Sequence, residues 1–296
     1  MSLLFEGVST AVTTPLKDGD LDIESFEKHL QFLKENNTQA FIINGTTGEG
    51  STLSEEEKRR TLEIAVEVAD GDLPVIAGTG SNDTKRSIDA SLVAQEVGVD
   101  ALLIITPYYN KTTQAGALKH FTTIADAVDL PIVLYDVPSR TGMNLEAETV
   151  AELSKHENIV ALKDATGDLA NLTRMMTLVE DDFGFYSGND DLALPFYAAG
   201  GHGLISVVAN AIPNEHQKLY ELAQKEPKEA VKLNNHLFPF TDAIGENLNP
   251  IAIKAIVSHL GFGNYQVRLP LVELENNRVD ELVQEYEDLK EGLDNL

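Results

Sequence analysis

The sequence alternates between short apolar runs and segments of helical periodicity, and this alternation limits the possible folds more than any other feature. Eight runs have the length and composition of buried strands; they cover residues 7–12, 40–43, 74–77, 101–105, 131–135, 159–163, 184–186 and 203–207. Strands that are apolar on both faces and alternate with helices predict a parallel sheet with helical crossovers. Eight such units favour a closed (β/α)8 TIM barrel. An open doubly wound sheet is the alternative.

The strand signal stops after Pro213, and the rest of the chain has helical patterns throughout. A chain of 296 residues is long enough for two domains, or for one barrel with an extension. The sequence therefore predicts a catalytic (β/α)8 barrel over residues 1–225 and a C-terminal helical domain over residues 226–296.

Composition excludes several classes of function. The chain contains no cysteine, which rules out disulfides, thiolate catalysis and zinc–thiolate sites. A net charge of −26 argues against nucleic acid and anionic membranes as partners. The N-terminal residues have no basic leader followed by a long apolar stretch, and no segment approaches the length of a membrane span. We therefore expect a cytoplasmic protein that binds neither nucleic acid nor membrane.

Polar residues follow several of the predicted strands, where the active site of a barrel lies. The segments concerned are NGTTGEG at 44–50, TPYYNK at 106–111, YDVPSRTG at 135–142, KDAT at 163–166 and SGND at 187–190. These segments contain more threonine, tyrosine, arginine and lysine than turns alone would require. The seven histidines are scattered and form no metal-binding pattern, so we expect no metal site.

Lys163 is the most informative of these residues, because it ends a strand that is otherwise buried and apolar. Freeing a lysine amine at pH 7 from its ordinary pKa costs roughly 4–5 kcal/mol. Burial lowers that cost, and an unprotonated, sequestered lysine is what Schiff-base catalysis needs. The alternative is a lysine that reaches water and pairs with Asp164.

Four neighbouring residues fit a carbonyl chemistry centred on that lysine. Tyr135 ends the adjacent strand and its phenol can move protons, although a core tyrosine is the alternative. Thr46 and Thr47 can relay protons or hold a carboxylate, or simply form a glycine-rich turn. Arg140 is expected in a tight turn over the mouth, where a guanidinium can clamp a carboxylate; a surface salt bridge is the alternative.

Taken together, GTTGEG, TPYYN, YDVPSRTG, LKDATG and SGND occur in the order and spacing of one family, and the resemblance covers nearly the whole chain. The chain resembles the pyruvate-dependent class I aldolases of the dihydrodipicolinate synthase/N-acetylneuraminate lyase family. The resemblance implies an imine between Lys163 and pyruvate. It implies the following further roles: a proton relay of Tyr135, Thr46 and Tyr109; Thr47 on the pyruvate carboxylate; Arg140 on the carboxylate of the second substrate; and Gly188 and Ile205 as backbone groups near Lys163.

The implied reaction is condensation of pyruvate with L-aspartate 4-semialdehyde to 4-hydroxy-tetrahydrodipicolinate, in lysine and diaminopimelate synthesis. No metal or organic cofactor is implied. In the family the tyrosine matching Tyr109 reaches a neighbouring subunit, so a homodimer or homotetramer is expected. Alternatives are a related aldolase or lyase acting on N-acetylneuraminate or a 2-keto-3-deoxy sugar acid, and a catalytically silent barrel with a binding role.

The chain departs from the family pattern in two respects. Asp136 replaces the asparagine that usually follows the tyrosine; strand alternation should turn it away from the face of Tyr135, so we expect little effect. Many bacterial members are inhibited by lysine at a dimer interface, and the matching positions here are Glu55, Lys58 and Arg86. The two cations should repel a lysine ligand, which predicts weak feedback.

Overall fold

The eight predicted strands form one closed parallel barrel. The computed structural model describes residues 3–293, so the first two residues of the predicted barrel and the last three of the predicted helical domain lie outside the described residues. The barrel strands, in the order in which they pair around the barrel, are β1 (Gly7–Ala11), β10 (Gly203–Ser206), β9 (Gly184–Ser187), β8 (Ile159–Asp164), β7 (Ile132–Asp136), β6 (Ala101–Ile105), β5 (Val75–Gly78) and β4 (Phe41–Ile43), which closes on β1. Closure confirms the barrel and excludes the open sheet.

Helices follow the strands as the alternation predicts. They are α1 (Ile23–Glu35), α2 (Glu55–Ala69), α3 (Thr84–Val97), α4 (Gln114–Ala125), α5 (Pro138–Thr141), α6 (Ala147–Leu153), α7 (Leu169–Met176), α8 (Ala193–Ala198), α9 (Pro213–Lys225), α10 (Pro227–Gly245), α11 (Ile251–His259) and α12 (Asn276–Leu293). A capping box of Ser54 and Glu57 begins α2, and Gly98 ends α3 in the left-handed region.

Two short elements differ from the sequence-based expectation. A small antiparallel hairpin, β2 (Leu16–Lys17) and β3 (Asp20–Leu21), follows β1, and its two-residue strands are too short to give an apolar run. The PSRTG segment, expected as a tight turn, contains the one-turn helix α5 and ends at Gly142 in the left-handed region.

Side chains of the barrel strands divide into two layers, and this division positions the site. Outward residues such as Leu134 and Leu162 share a core with the surrounding helices. Residues of the other parity, including Val133 and Ala161, form a separate core inside the barrel. Because parity alternates along a strand, Lys163 lies on the inner face with Ala161, at the carboxyl end of β8.

The helices after residue 213 share a third core with the outer faces of β1 and β10, through Val8 and Leu204. The proposed boundary falls at the last residue of α9, and the division into a barrel and a separate helical domain stays a prediction. None of the helices within residues 3–293 combines the length and apolarity needed to cross a membrane.

Candidate active site

Lys163 and Tyr135 lie side by side at the carboxyl ends of neighbouring strands. They are register partners on β8 and β7, and both are buried, with 6% and 8% of their surface exposed. The Lys163 Nζ atom lies 4.5 Å from the centre of the Tyr135 ring. The amine therefore remains inside the barrel rather than reaching bulk water, which is the behaviour expected of a nucleophile.

The surroundings of Lys163 lower the pKa of its amine to about 8. Burial is the main cause, because it disfavours the charged form, and the positive charge of Arg140 acts in the same direction. The Asp190 carboxylate opposes both. At pH 7 roughly a tenth of the amines are then unprotonated, far more than for an exposed lysine. The site thus supplies a free amine at neutral pH.

Thr46 lies close enough to Tyr135 to act on its phenol. Burial raises the pKa of Tyr135, while the charge of Arg140 and the Thr46 side chain lower it. A phenol held next to an amine and a hydroxyl can pass a proton in either direction. Lys163, Tyr135 and Thr46 therefore form one chemically competent group.

Gly188 lies against the lysine and leaves no room for a side chain. A Cβ atom at this position would lie 3.0 Å from Lys163 Cε and 2.7 Å from Ala165 Cβ. The Gly188 amide donates a 2.7 Å hydrogen bond to the Asp164 carbonyl, which fixes this approach. Ile205, on β10, is fully buried in the inner core that also contains Tyr135.

Thr47 lies on the loop after β4 and Arg140 on α5, and Asn249 contacts both. The Asn249 Nδ2 atom donates to Thr47 Oγ1 at 3.0 Å, and Arg140 Nη2 donates to the Asn249 carbonyl at 3.3 Å. Thr47 is buried, whereas Arg140, on α5, is exposed at the mouth. Two candidate carboxylate-binding groups are thus held by one residue of the C-terminal extension.

The loop that carries Thr46 and Thr47 is anchored by a buried ion pair. Glu49 pairs with Lys254 of α11, and their side chains are 2% and 3% exposed. The second Glu49 oxygen accepts a 2.8 Å hydrogen bond from the Arg268 amide. Sequence reasoning missed Asn249, Glu49 and Lys254 as supports of the site, because the partners of each pair lie about two hundred residues apart in the chain.

Tyr109 does not join this group within its own chain. It is 92% exposed, and its φ of 67° lies in the left-handed region. None of the contacts within residues 3–293 gives Tyr109 a role in the site of its own subunit.

Asp136 points away from Tyr135, as alternation predicted, and lies in the outer layer. It is fully buried, and its Oδ2 atom accepts a 2.8 Å hydrogen bond from the Leu145 amide. Its Oδ1 atom has no partner among the described residues. Burial first, and then the nearby charge of Asp164, raises the pKa of Asp136 to about 7, whereas the Leu145 bond lowers it.

The positions associated with regulation lie on α2 and α3. Lys58 Nζ forms a 2.9 Å ion pair with Glu55, and Arg86 is exposed. Over residues 3–293, no group of three or more histidine, cysteine, aspartate or glutamate side chains is arranged to hold a metal ion.

The closed barrel and the lysine-centred group at the carboxyl ends of its strands define a (β/α)8-barrel enzyme. The chain belongs to the dihydrodipicolinate synthetase family, whose model matches residues 4–289. A 4-hydroxy-tetrahydrodipicolinate synthase from Macrococcus caseolyticus is 52% identical over 294 residues, covering 99% of both chains.

Two solved structures are also close. A dihydrodipicolinate synthase from Bacillus anthracis is 41% identical with a TM-score of 0.93, covering 96% of this chain and 98% of its own. The dihydrodipicolinate synthase from Acinetobacter baumannii, solved in complex with pyruvate, is 37% identical with a TM-score of 0.93, covering 97% and 99%. These likenesses confirm the family that the motifs indicated.

Proposed function

We propose that the chain condenses pyruvate with L-aspartate 4-semialdehyde to give 4-hydroxy-tetrahydrodipicolinate, a lyase reaction of lysine and diaminopimelate synthesis. The observation that carries the proposal is the buried Lys163 amine, with its pKa lowered to about 8, over the ring of Tyr135. Relatives that are about half identical over the whole chain have the name of this activity.

Lys163 would attack the ketone carbon of pyruvate. A C–N bond forms, the carbonyl oxygen leaves as water, and an imine results. Tyr135 and Thr46 supply the proton that the departing oxygen needs. The positive imine nitrogen then acidifies the pyruvate methyl group, and loss of one proton gives an enamine. The chemistry needs no cofactor, because the imine nitrogen accepts the electron pair.

The enamine carbon would attack the aldehyde carbon of the second substrate and form the new C–C bond. The substrate's own amine then attacks the imine carbon, which closes the ring and frees Lys163. One water molecule is lost overall. Thr47 is assigned to the pyruvate carboxylate, and Arg140, exposed at the mouth, to the carboxylate of the semialdehyde. Gly188 and Ile205 contribute backbone groups beside the imine.

Tyr109 is assigned to the site of a neighbouring subunit, where it would complete the proton relay. Its 92% exposure within the single chain is consistent with this assignment. The active unit is then at least a homodimer, and a homotetramer is compatible. We place the reaction in the cytoplasm, with neither nucleic acid nor membrane as a partner.

The test is pyruvate consumption by the purified chain with and without L-aspartate 4-semialdehyde, with N-acetylneuraminate in a parallel sample. Consumption that depends on the semialdehyde and disappears in Lys163→Ala supports the proposal. Pyruvate release from the sialic acid, without semialdehyde-dependent consumption, would contradict it and favour the aldolase alternative. Loss of borohydride trapping in Lys163→Ala, with an unchanged melting temperature, would locate the imine.

A further inference from the structure

Asn249 lies outside the barrel in sequence but between two site residues in space. It lies in the segment that connects α10 to α11. Its side chain donates to Thr47 Oγ1 at 3.0 Å, and its main-chain carbonyl accepts from Arg140 at 3.3 Å. The two contacted residues are those assigned above to the two substrate carboxylates.

The direction of the Asn249–Thr47 hydrogen bond decides what Thr47 can do. A threonine hydroxyl has one hydrogen to donate and lone pairs to accept with. Because the amide hydrogen of Asn249 occupies an acceptor site on Thr47 Oγ1, the hydroxyl hydrogen remains free to point at a carboxylate. A residue that accepted from Thr47 would instead withdraw that hydrogen from the substrate.

The amide of Asn249 makes its hydrogen bond through the nitrogen alone, and its oxygen is unused within the described part of the chain. Its Oδ1 atom is buried and has no hydrogen-bond partner among residues 3–293. Buried polar atoms are almost always paired, and an unpaired one lowers stability. A side chain without polar atoms would avoid that loss, so the contact with Thr47 is the property that an asparagine provides here.

The backbone around Asn249 is fixed from the other side as well. Lys254, in the helix that follows, forms the buried ion pair with Glu49, two residues after Thr47. The Arg268 amide holds the same carboxylate at 2.8 Å. The extension therefore holds the loop of Thr46 and Thr47 at two points, and the amide of Asn249 approaches Thr47 from a rigid base.

We propose that Asn249 is a positioning residue that orients the Thr47 hydroxyl toward the carboxylate of pyruvate. The inference rests on the role of Thr47 in the proposed function. The proposed role concerns pyruvate and not the second substrate. The side chain of Asn249 contacts Thr47, whereas Arg140 contacts the main-chain carbonyl, which a substitution at position 249 leaves in place.

The first experiment is steady-state kinetics of Asn249→Ala, with Leu248→Ala as the matched control because Leu248 is the exposed neighbour. Loss of one hydrogen bond that orients a donor should raise KM for pyruvate about five- to tenfold. KM for the semialdehyde and kcat should stay within about twofold, since alanine keeps the carbonyl that Arg140 contacts. Unchanged KM for pyruvate would overturn the proposal.

A second variant tests the proposal independently, in case the alanine variant folds poorly. Asn249→Asp has nearly the same shape, but an ionised carboxylate cannot donate to Thr47 and would accept its hydrogen instead. KM for pyruvate should therefore rise more than in Asn249→Ala, measured at a temperature at which the variant is fully folded, because a buried carboxylate lowers stability. A KM equal to that of the wild type would overturn the proposal regardless of how the alanine variant behaves.

A double-mutant cycle with Thr47→Val separates positioning from a general structural effect. If Asn249 acts through Thr47, adding Asn249→Ala to Thr47→Val should change KM for pyruvate by less than about twofold. A full additional five- to tenfold loss would show that Asn249 acts independently, and would overturn the proposal.

Borohydride trapping at graded pyruvate concentrations provides a readout that does not need the second substrate. Half-maximal trapping should shift to about five- to tenfold higher pyruvate in Asn249→Ala. If the wild type traps pyruvate but does not use the semialdehyde, the proposed reaction fails, and this shift still decides the role of Asn249.

Discussion

The Nζ atom of Lys163 lies over the ring of Tyr135, 4.5 Å from its centre, and the two residues are register partners on adjacent strands. The pair is thus held by the hydrogen-bonded barrel itself and not by mobile loops. A fixed separation of nucleophile and proton donor is what an imine-forming site requires.

The rate of pyruvate trapping should depend on pH through the Lys163 amine. With a pKa of about 8, the unprotonated fraction rises about tenfold per pH unit below that value and levels off above it. Arg140→Ala removes a charge that lowers this pKa, so its pH profile should move to higher pH. The profile of Arg140→Lys should match that of the wild type, because lysine keeps the positive charge. Borohydride trapping between pH 6 and 9 measures this; identical profiles for all three proteins would contradict the assignment.

Tyr135→Phe should lower kcat about 100- to 10,000-fold, because the ring over the lysine remains and only the proton-transferring hydroxyl is lost. Tyr186→Phe is the matched control. Tyr186 is also buried and also a register partner of Lys163, but its hydroxyl donates to the Phe5 carbonyl at 2.9 Å. It should lose about 1 kcal/mol of stability and keep its kcat within about threefold. Equal losses of kcat in the two variants would refute the relay.

Two inactive variants should restore activity when mixed, if Tyr109 acts in a neighbouring site. Lys163→Ala has no nucleophile, and Tyr109→Phe lacks the relay hydroxyl. After dissociation and reassembly together, a mixed dimer contains one site with an intact Lys163 and an intact Tyr109. We expect up to about a quarter of the wild-type activity, measured after subunit exchange. Recovery no greater than the sum of the separate variants would place Tyr109 outside the relay.

Asp136→Asn should change how stability depends on pH. The folded pKa is about 7, against about 4 for an exposed aspartate, so the unfolded chain releases this proton first as the pH rises. The free energy of unfolding then falls between about pH 4 and pH 7, by up to about 1.4 kcal/mol per pH unit from this group. Asparagine keeps the bond from Leu145 and removes that slope.

Urea unfolding at pH 4, 5.5 and 8 would measure this. Asp136→Asn should exceed the wild type by a few kcal/mol at pH 8 and by little at pH 4. A constant difference across that range would mean that Asp136 does not titrate as the structure implies.

Lysine should inhibit the enzyme weakly. The ammonium of a lysine ligand would meet Lys58 and Arg86, and the Lys58 charge is only partly offset by Glu55 at 2.9 Å. A lysine titration at fixed substrate should show no strong inhibition in the micromolar range. Replacing Lys58 and Arg86 together by alanine should increase inhibition if repulsion is the cause. Micromolar inhibition of the wild type would contradict the prediction.

The sequence was most informative where function or fold depends on neighbours in the chain. The buried strands are continuous apolar runs, and Lys163 was conspicuous as the charged end of one of them. The β2–β3 hairpin was missed, although Asp18 and Gly19, both with positive φ, form the Asp-Gly turn typical of hairpins. The dipeptide therefore indicates the hairpin even though its strands are too short to form apolar runs.

Asn249 could not have been found in this way. Its partners Arg140 and Thr47 lie 109 and 202 residues away in sequence, and no local pattern marks an asparagine for such contacts. The surroundings of Tyr109 could not be predicted for a different reason. Its assigned partner is a second copy of the chain, which neither the sequence nor a single subunit contains.

The Glu49–Lys254 ion pair defines how the chain can be divided or recombined. A fragment that ended at residue 225 would lose Lys254 and the Arg268 amide, and would leave a glutamate built for burial without its counter-ion and its cover. We therefore expect that the barrel segment alone is not a minimal catalytic unit. A chimaera that joins this barrel to the extension of a relative must inherit both halves of the pair, or replace both.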